Sequence, residues 1–393
     1  MKRWLALLTL LLAGCSAGVE QASAPTATLP AAIATTMPSP PASDPTAPSA
    51  LSTATVAQPS APAASDPVGP SAPAAPTATP APTLAASPPA IVTATPGWSY
   101  PIGLPGQPLG DGFFIRHGYA TENTWYNPGD LHTGEDWYAL QGDTAGAEVV
   151  AAAAGEVVYA GSNYPGRVVI VQHAADLFSM YGHLDPALAV DVGQQVARGD
   201  RLGVVLRRGD DVPNHLHFEI RSFLIAAEVN GPQPRYGYRC GPGCVPGPGY
   251  WPINAPDRPD ALGWRNPTHV INGRMLPDLD SGAARGEVVV ASDPISDSVT
   301  LWAAFADDGR PQDALDELRL EPGARYPLLN VRAGAEAPAA SSAAAYQVWY
   351  RIALADGRTG WIAAAVPSTF ETGSDGRPST VRFNLVPAGV AAP

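Results

Sequence analysis

From Gly112 to Ile220 the chain is a series of short apolar runs broken by Gly, Asp and Pro. Glu148–Ala151, Gly155–Ala160, Arg167–Gln172 and Arg201–Leu206 are each four to six residues long. They are rich in β-branched residues, which suit a pleated, half-buried surface, and turn signals separate them. No stretch holds a 3.6-residue apolar period over three turns, so the pattern predicts an all-β fold, a sandwich or folded antiparallel sheet. His215-Leu216-His217-Phe218-Glu219-Ile220 alternates polar and apolar residues as a strand does. Side chains at i and i+2 share one face of a strand. His215 and His217 therefore face one side together, and Leu216 and Phe218 pack on the other.

The strand pattern resumes near Gly286 with Glu287–Val290, Ser298–Trp302, Leu328–Arg332, Val348–Ile352 and Gly357–Ile362. The last two read as a hairpin turning at Asp356-Gly357. This predicts one domain over 98–275 and a second, small barrel-like β domain over 280–393, with an Ala-rich insert at 333–345. The acidic stretch Asp313 to Glu317 reads as a short helix. Residues 221–263 are irregular and rich in Gly, Pro and Tyr, too long for an ordinary connection. Tyr236, Tyr238, Tyr250 and Trp251 predict that this loop is ordered, either as one wall of a groove or as a surface insertion.

Composition changes the picture at the N-terminus. Lys2 and Arg3 precede an apolar run, Trp4 to Leu12, that is about half the ~20 residues a helix needs to cross a bilayer. A basic start and a short apolar core describe an export signal. From Ser16 to Pro96 the chain is almost entirely Ala, Pro, Ser and Thr, with Glu20, Asp44 and Asp66 as its charges. Such a segment buries too little apolar surface to offset its ordering entropy, which predicts a disordered tether over 16–97. Fully extended, its roughly 80 residues would reach about 250 Å. The net charge of −13 argues against nucleic acid as a partner. Of three cysteines, Cys240 and Cys244 stand in CGPGC, a small local disulfide in an exported protein, with half of a zinc site as the rival reading.

The candidate chemistry lies in three motifs: His132 and Asp136 in LHTGEDW, His183 in MYGHLDP, and His215 and His217 in NHLHFEI. Each is weak alone; their conjunction, each beside a strand, is not. A hydrolytic zinc ion needs three protein ligands, an open position and a nearby group to move protons, and these five residues can supply that set.

The motifs resemble the lysostaphin/LytM-type zinc peptidases, peptidase family M23, over about residues 110–225 and again at Asn266-Pro267-Thr268. The segments Ala154–Gly161 and Val192–Gly203 are also similar to the family. The resemblance implies that His132, Asp136 and His217 bind one zinc ion and that His183 and His215 are catalytic across its open position. Two neutral imidazoles and one carboxylate leave the ion a net positive charge, which lowers the pKa of its water toward ~7. Either His183 or His215 can act as base while the other stabilises the oxyanion. The implied activity is hydrolysis of peptide bonds in peptidoglycan, with a non-hydrolytic wall-binding or amidase-activating module as the alternative. The helical HExxH arrangement is absent, so Glu135 and Glu219 read as supporting carboxylates, and Tyr181 as a packing residue. His117, His173 and His269 fall outside the set. Arg207–Asn214 replaces the Gly- and Thr-rich turn that many members carry before HLHFE.

Leu12-Ala13-Gly14-Cys15 resembles the lipobox of bacterial lipoproteins. It implies cleavage before Cys15 and a membrane anchor through lipid on its sulfur, hence a cell-envelope location; an ordinary signal peptide is the rival. Leu329–Arg332, Trp349–Ile352 and Gly360–Ile362 resemble fragments of bacterial SH3-like domains, with Trp349 and Trp361 expected in the core. Nothing in the pattern sets an oligomeric state.

Overall fold

The computed structural model describes residues 97–161, 166–209, 211–237, 240–276, 286–334 and 346–393. The signal segment, the lipobox, the tether before Gly97, Tyr238 and residues 335–345 of the Ala-rich insert lie outside the described residues.

The first half supplies β1 (Phe113–His117), β2 (Asn127–His132), β3 (Glu135–Ala139), β4 (Gly155–Gly161), β5 (Arg167–Ala174), β6 (Leu177–Leu184), β7 (Leu216–Arg221) and β8 (Tyr250–Pro252). One short helix, α1 (Pro267–Arg274), starts at the cap Asn266, whose side chain accepts His269 N–H, with Pro267 in the first turn. The second half adds β9 (Gly286–Val290), β10 (Ser298–Phe305), β11 (Pro311–Arg319), β12 (Arg325–Arg332), β13 (Val348–Ala353), β14 (Thr359–Thr372), β15 (Pro378–Phe383) and β16 (Leu385–Pro387). The fold is nearly all β, and the strand pairs are antiparallel, as the hydropathy pattern predicts.

The main sheet runs β4-β5-β6-β7-β3-β1-β15-β14-β13-β12-β9-β16. Its middle is a set of long-range pairings: β7 lies between β6 and β3, and β1 lies between β3 and β15. The alternation of β7 is borne out, with Leu216, Phe218 and Ile220 in the hydrophobic core. His217, Glu219 and Arg221, on the other face, are also buried, so that face must satisfy its polar groups internally. One core cluster joins Trp137, Phe218 and Trp264 to Tyr346, Tyr350 and Phe383 of the second half.

Two expectations need correction. Asp313 to Glu317 is part of strand β11, not a helix, because Ser298 to Phe305 pairs with it along its length, Thr300 opposite Glu317 and Phe305 opposite Pro311. That pairing satisfies the backbone and overrides the local helix preference. Asp313 adopts φ 56° beside the register shift. Trp349 and Trp361 are half-buried and not core: they flank Phe305 edge-on at 5.4 Å each, while Val348, Tyr350 and Ile352 face the interior.

Candidate metal centre

Strand register assembles the site. His132 ends β2 and Asp136 lies in β3, with Thr133-Gly134 turning between them. Gly134 sits against β7 so closely that a Cβ there would lie 2.4 Å from Phe218 O and 2.9 Å from Glu219 Cγ. Since the obstacle is backbone, Gly134→Ala is expected to destabilise the fold by about 1–3 kcal/mol, read as a lower denaturation midpoint with unchanged m-value. His217 pairs directly with Asp136 on one side and with Gly182 on the other. A Cβ at Gly182 would only just touch His217 Cβ, at 3.4 Å, and glycine leaves this space to the rings. After Gly182 a regular pleat would turn His183 to the opposite face. Instead His183 adopts φ 59°, an uncommon conformation for a non-glycine residue. Its ring lies 4.6 Å from that of His215 and 6.1 Å from that of His217.

Three donor atoms converge. His132 Nε2 is 3.0 Å from His217 Nδ1 and 3.3 Å from Asp136 Oδ1, and His217 Nδ1 is 3.1 Å from Asp136 Oδ1. A tetrahedral zinc ion with bonds of about 2.0–2.1 Å has ligand–ligand edges of roughly 3.3 Å, so the triangle fits the ion with little adjustment. The outward nitrogens fix the tautomers. His132 Nδ1 donates to His117 O at 3.0 Å, and His217 Nε2 donates to Glu219 Oε1 at 3.2 Å. Both inner nitrogens are thereby left as electron-pair donors, the usual arrangement of metal-bound histidines. Glu219 in turn accepts Thr133 Oγ1–H at 2.6 Å and Trp264 Nε1–H at 3.0 Å.

The electrostatics follow the same geometry. Burial alone pushes Asp136 up, but His132, His215 and His217 hold its carboxyl well below the usual range. Burial pushes His217 down, and the Asp136 and Glu219 carboxylates reverse this to about 9. Glu219 is likewise held ionised against its burial, chiefly by His217. His215 is lowered by burial, which outweighs the pull of Asp136.

His215 lies beside the triangle, its Nε2 3.7 Å from Asp136 Oδ1 and its Nδ1 donating to Pro213 O at 2.8 Å. Tyr138 stacks on it at 4.9 Å. Glu135 points to the far side of β3, where it accepts Thr268 N–H and Trp137 Nε1–H, and burial raises its pKa to about 7. Tyr181 is buried, its hydroxyl accepting Ala152 N–H at 2.8 Å. His173 bonds Ala154 O and Ser179, away from the triangle, and His269 packs near Tyr346. His117 stands opposite Asp136, yet its ring is turned toward Tyr126 and Tyr138; burial lowers its pKa to about 3.

Sequence reasoning missed one prominent member, Tyr250. Its strand β8 pairs with β2, Tyr250 opposite His132, and the ring stacks on His132 at 4.8 Å. Its hydroxyl accepts Asn123 Nδ2–H at 2.9 Å and lies 3.4 Å from Asp136 Oδ2. The aromatic content of 221–263 was the signal. The same segment carries the Cys240–Cys244 disulfide. On the opposite rim, Asp143 ties Arg207 and Asn214 together at 2.7 and 2.9 Å.

Residues 130–231, which hold all five motif residues, match the model of peptidase family M23. The segment is a peptidase family M23 domain. The chain is 40% identical over 78 residues to the cell division protein DipM of Caulobacter vibrioides, covering 19% of this chain and 13% of that protein. It is 44% identical over 78 residues to the lipoprotein NlpD/LppB homolog of Pseudomonas aeruginosa, covering 19% of this chain and 26% of that one. The chain thus spans about a quarter or less of the curated relatives it matches. Among solved structures, the catalytic domain of the prophage-encoded M23 protein EnpA from Enterococcus faecalis is 29% identical. That match covers 28% of this chain and 81% of that one, with a TM-score of 0.24.

Proposed function

We propose that this protein is a zinc-dependent endopeptidase that hydrolyses peptide bonds of bacterial peptidoglycan, held at the cell envelope by lipid on Cys15. The observation that carries the reading is the donor triangle of His132, Asp136 and His217 with two further imidazoles, His183 and His215, beside it. A structural zinc site is closed by protein ligands, whereas three donors leave a position for water or substrate. The Pseudomonas relative is named a lipoprotein, which agrees with the anchor. Residues 280–393 are read as an SH3-like module that accompanies the peptidase.

Zinc held by the triangle supplies Lewis acidity and a lowered pKa for its bound water. The rest falls to this chain's own groups. With Nδ1–H committed to Pro213 O, His215 presents Nε2 to the site as a proton acceptor. It takes the proton of the attacking water and returns it to the leaving amine, completing hydrolysis without net loss of a proton. His183, edge-on to His215, donates to the substrate carbonyl oxygen as negative charge builds there. Tyr138 on one flank and Tyr250 on the other pack against His215 and His132, so the rings reach the substrate already oriented.

Incubating isolated peptidoglycan with the purified chain is expected to release new amine termini. A chelator should abolish the release and added zinc restore it. Release that persists at full rate under chelation would exclude the mechanism.

A further inference from the structure

Residues 115–121 lie between the metal ligands and the C-terminal strands, and both sides hold them firmly. On the ligand side, His117 pairs with Asp136 and its carbonyl takes the His132 Nδ1 proton. Ala120 N donates to His132 O at 2.8 Å, and His132 N donates to Thr121 O at 2.9 Å. On the C-terminal side, Ile115 pairs with Val381, Gly118 N donates to Ser379 O at 2.7 Å, and Tyr346 Oη donates to Tyr119 O at 2.6 Å. The approach is close, since a Cβ on Gly118 would lie 2.9 Å from the Tyr346 ring.

The charged member of this clamp is Glu371, at the end of β14. Its Oε1 accepts Arg116 Nε–H at 2.8 Å and Nη2–H at 2.6 Å, and its Oε2 lies 3.5 Å from His117 Nδ1. The Glu371, Arg116 and His117 side chains are 9%, 20% and 2% exposed. Such a contact is screened far less than a surface ion pair, and removing one partner leaves the other charge poorly solvated. Glu371 thus grips Arg116, and the next residue, His117, whose neutral ring only borders the carboxylate, carries the carbonyl that orients a metal-ligating histidine.

We propose that Glu371 is a positioning residue of the metal centre, acting through Arg116 and His117 on the orientation of His132. The C-terminal strands are then part of the peptidase site and not only a companion to it. This inference rests on the metal reading given above. Carbonyl and carboxylate partners of ligating histidines govern metal affinity. Loss of the Glu371 grip lets the 116–117 peptide relax, and His132 Nδ1 with it.

The test uses the full chain and its Glu371→Gln variant, with zinc affinity measured by competition against a chromophoric chelator and the visible spectrum recorded with cobalt in place of zinc. Glu371→Gln is expected to bind zinc roughly 10-fold more weakly, the lower end for groups that orient ligands, and to shift the cobalt band. Glu371→Asp, which keeps the charge, should recover part of the loss, and it serves as the deciding variant if Glu371→Gln does not fold. Parent-like zinc affinity and an unchanged cobalt band in these variants would overturn the inference, whatever happens to their melting temperature. Parent chain that takes up no zinc would overturn the metal reading itself, a separate result.

Discussion

His217→Ala is expected to reduce bound zinc from about one ion per chain to none at micromolar free metal, with activity lost in parallel. Zinc sites built from a few side chains bind with about 10–16 kcal/mol, so removing one of three donors costs roughly 4 kcal/mol, or about 10³-fold in affinity. The loss is greater than for a surface histidine because His217 occupies the centre of the arrangement. It pairs with Asp136, touches His132 Nε2 through Nδ1, and hands its other nitrogen to Glu219. His132→Ala should behave alike. Metal analysis of the purified variants checks both, and full zinc occupancy in either would remove that residue from the ligand set.

His215→Ala is expected to separate metal binding from chemistry. Zinc affinity should stay within about threefold of the parent, since His215 makes no contact shorter than 3.7 Å with the Asp136 donor atom. Turnover should fall by roughly 10²–10⁴-fold, the usual weight of a positioned acid–base group. The Tyr138 stack and the Pro213 carbonyl both lose their partner, so a modest drop in melting temperature should accompany the loss. Kinetics on a defined wall peptide, with zinc content verified for the same sample, tests the prediction.

Strands such as Gly155–Gly161 and Arg167–Ala174 were legible because each is a short β-branched run with its own turn signals, and the shared face of His215 and His217 followed from the period of two. Asn127–His132 and Glu135–Ala139, which carry His132 and Asp136, have no β-branched residue and were not legible. Which carboxylate faces them was not legible from periodicity. Asp136 and His217 are 81 residues apart, and their direct pairing depends on β3 lying next to β7 in the sheet. Only the family resemblance brought the two together in advance. The helix expected at Asp313–Glu317 failed for the converse reason: a polar run of helix formers is decided by its partner, here the arm Ser298–Phe305. Tyr250 shows an intermediate case. Its aromatic neighbourhood marked the segment as ordered, but its place over His132 arises from a three-residue strand that pairs with β2. The link from β1 to β15, which brings Glu371 near the centre, had no sequence signal, because it joins distant segments through a single paired position, Ile115 with Val381.

The most direct test compares the parent chain with His215→Ala, each loaded with zinc, by mass spectrometry of digested peptidoglycan. The account predicts new peptide termini with the parent, which name the bond cleaved, and none above background with the variant. Equal cleavage by both, or no products from the zinc-loaded parent across walls of several cross-link types, would contradict it, and the second result would leave a binding or regulatory role for the domain.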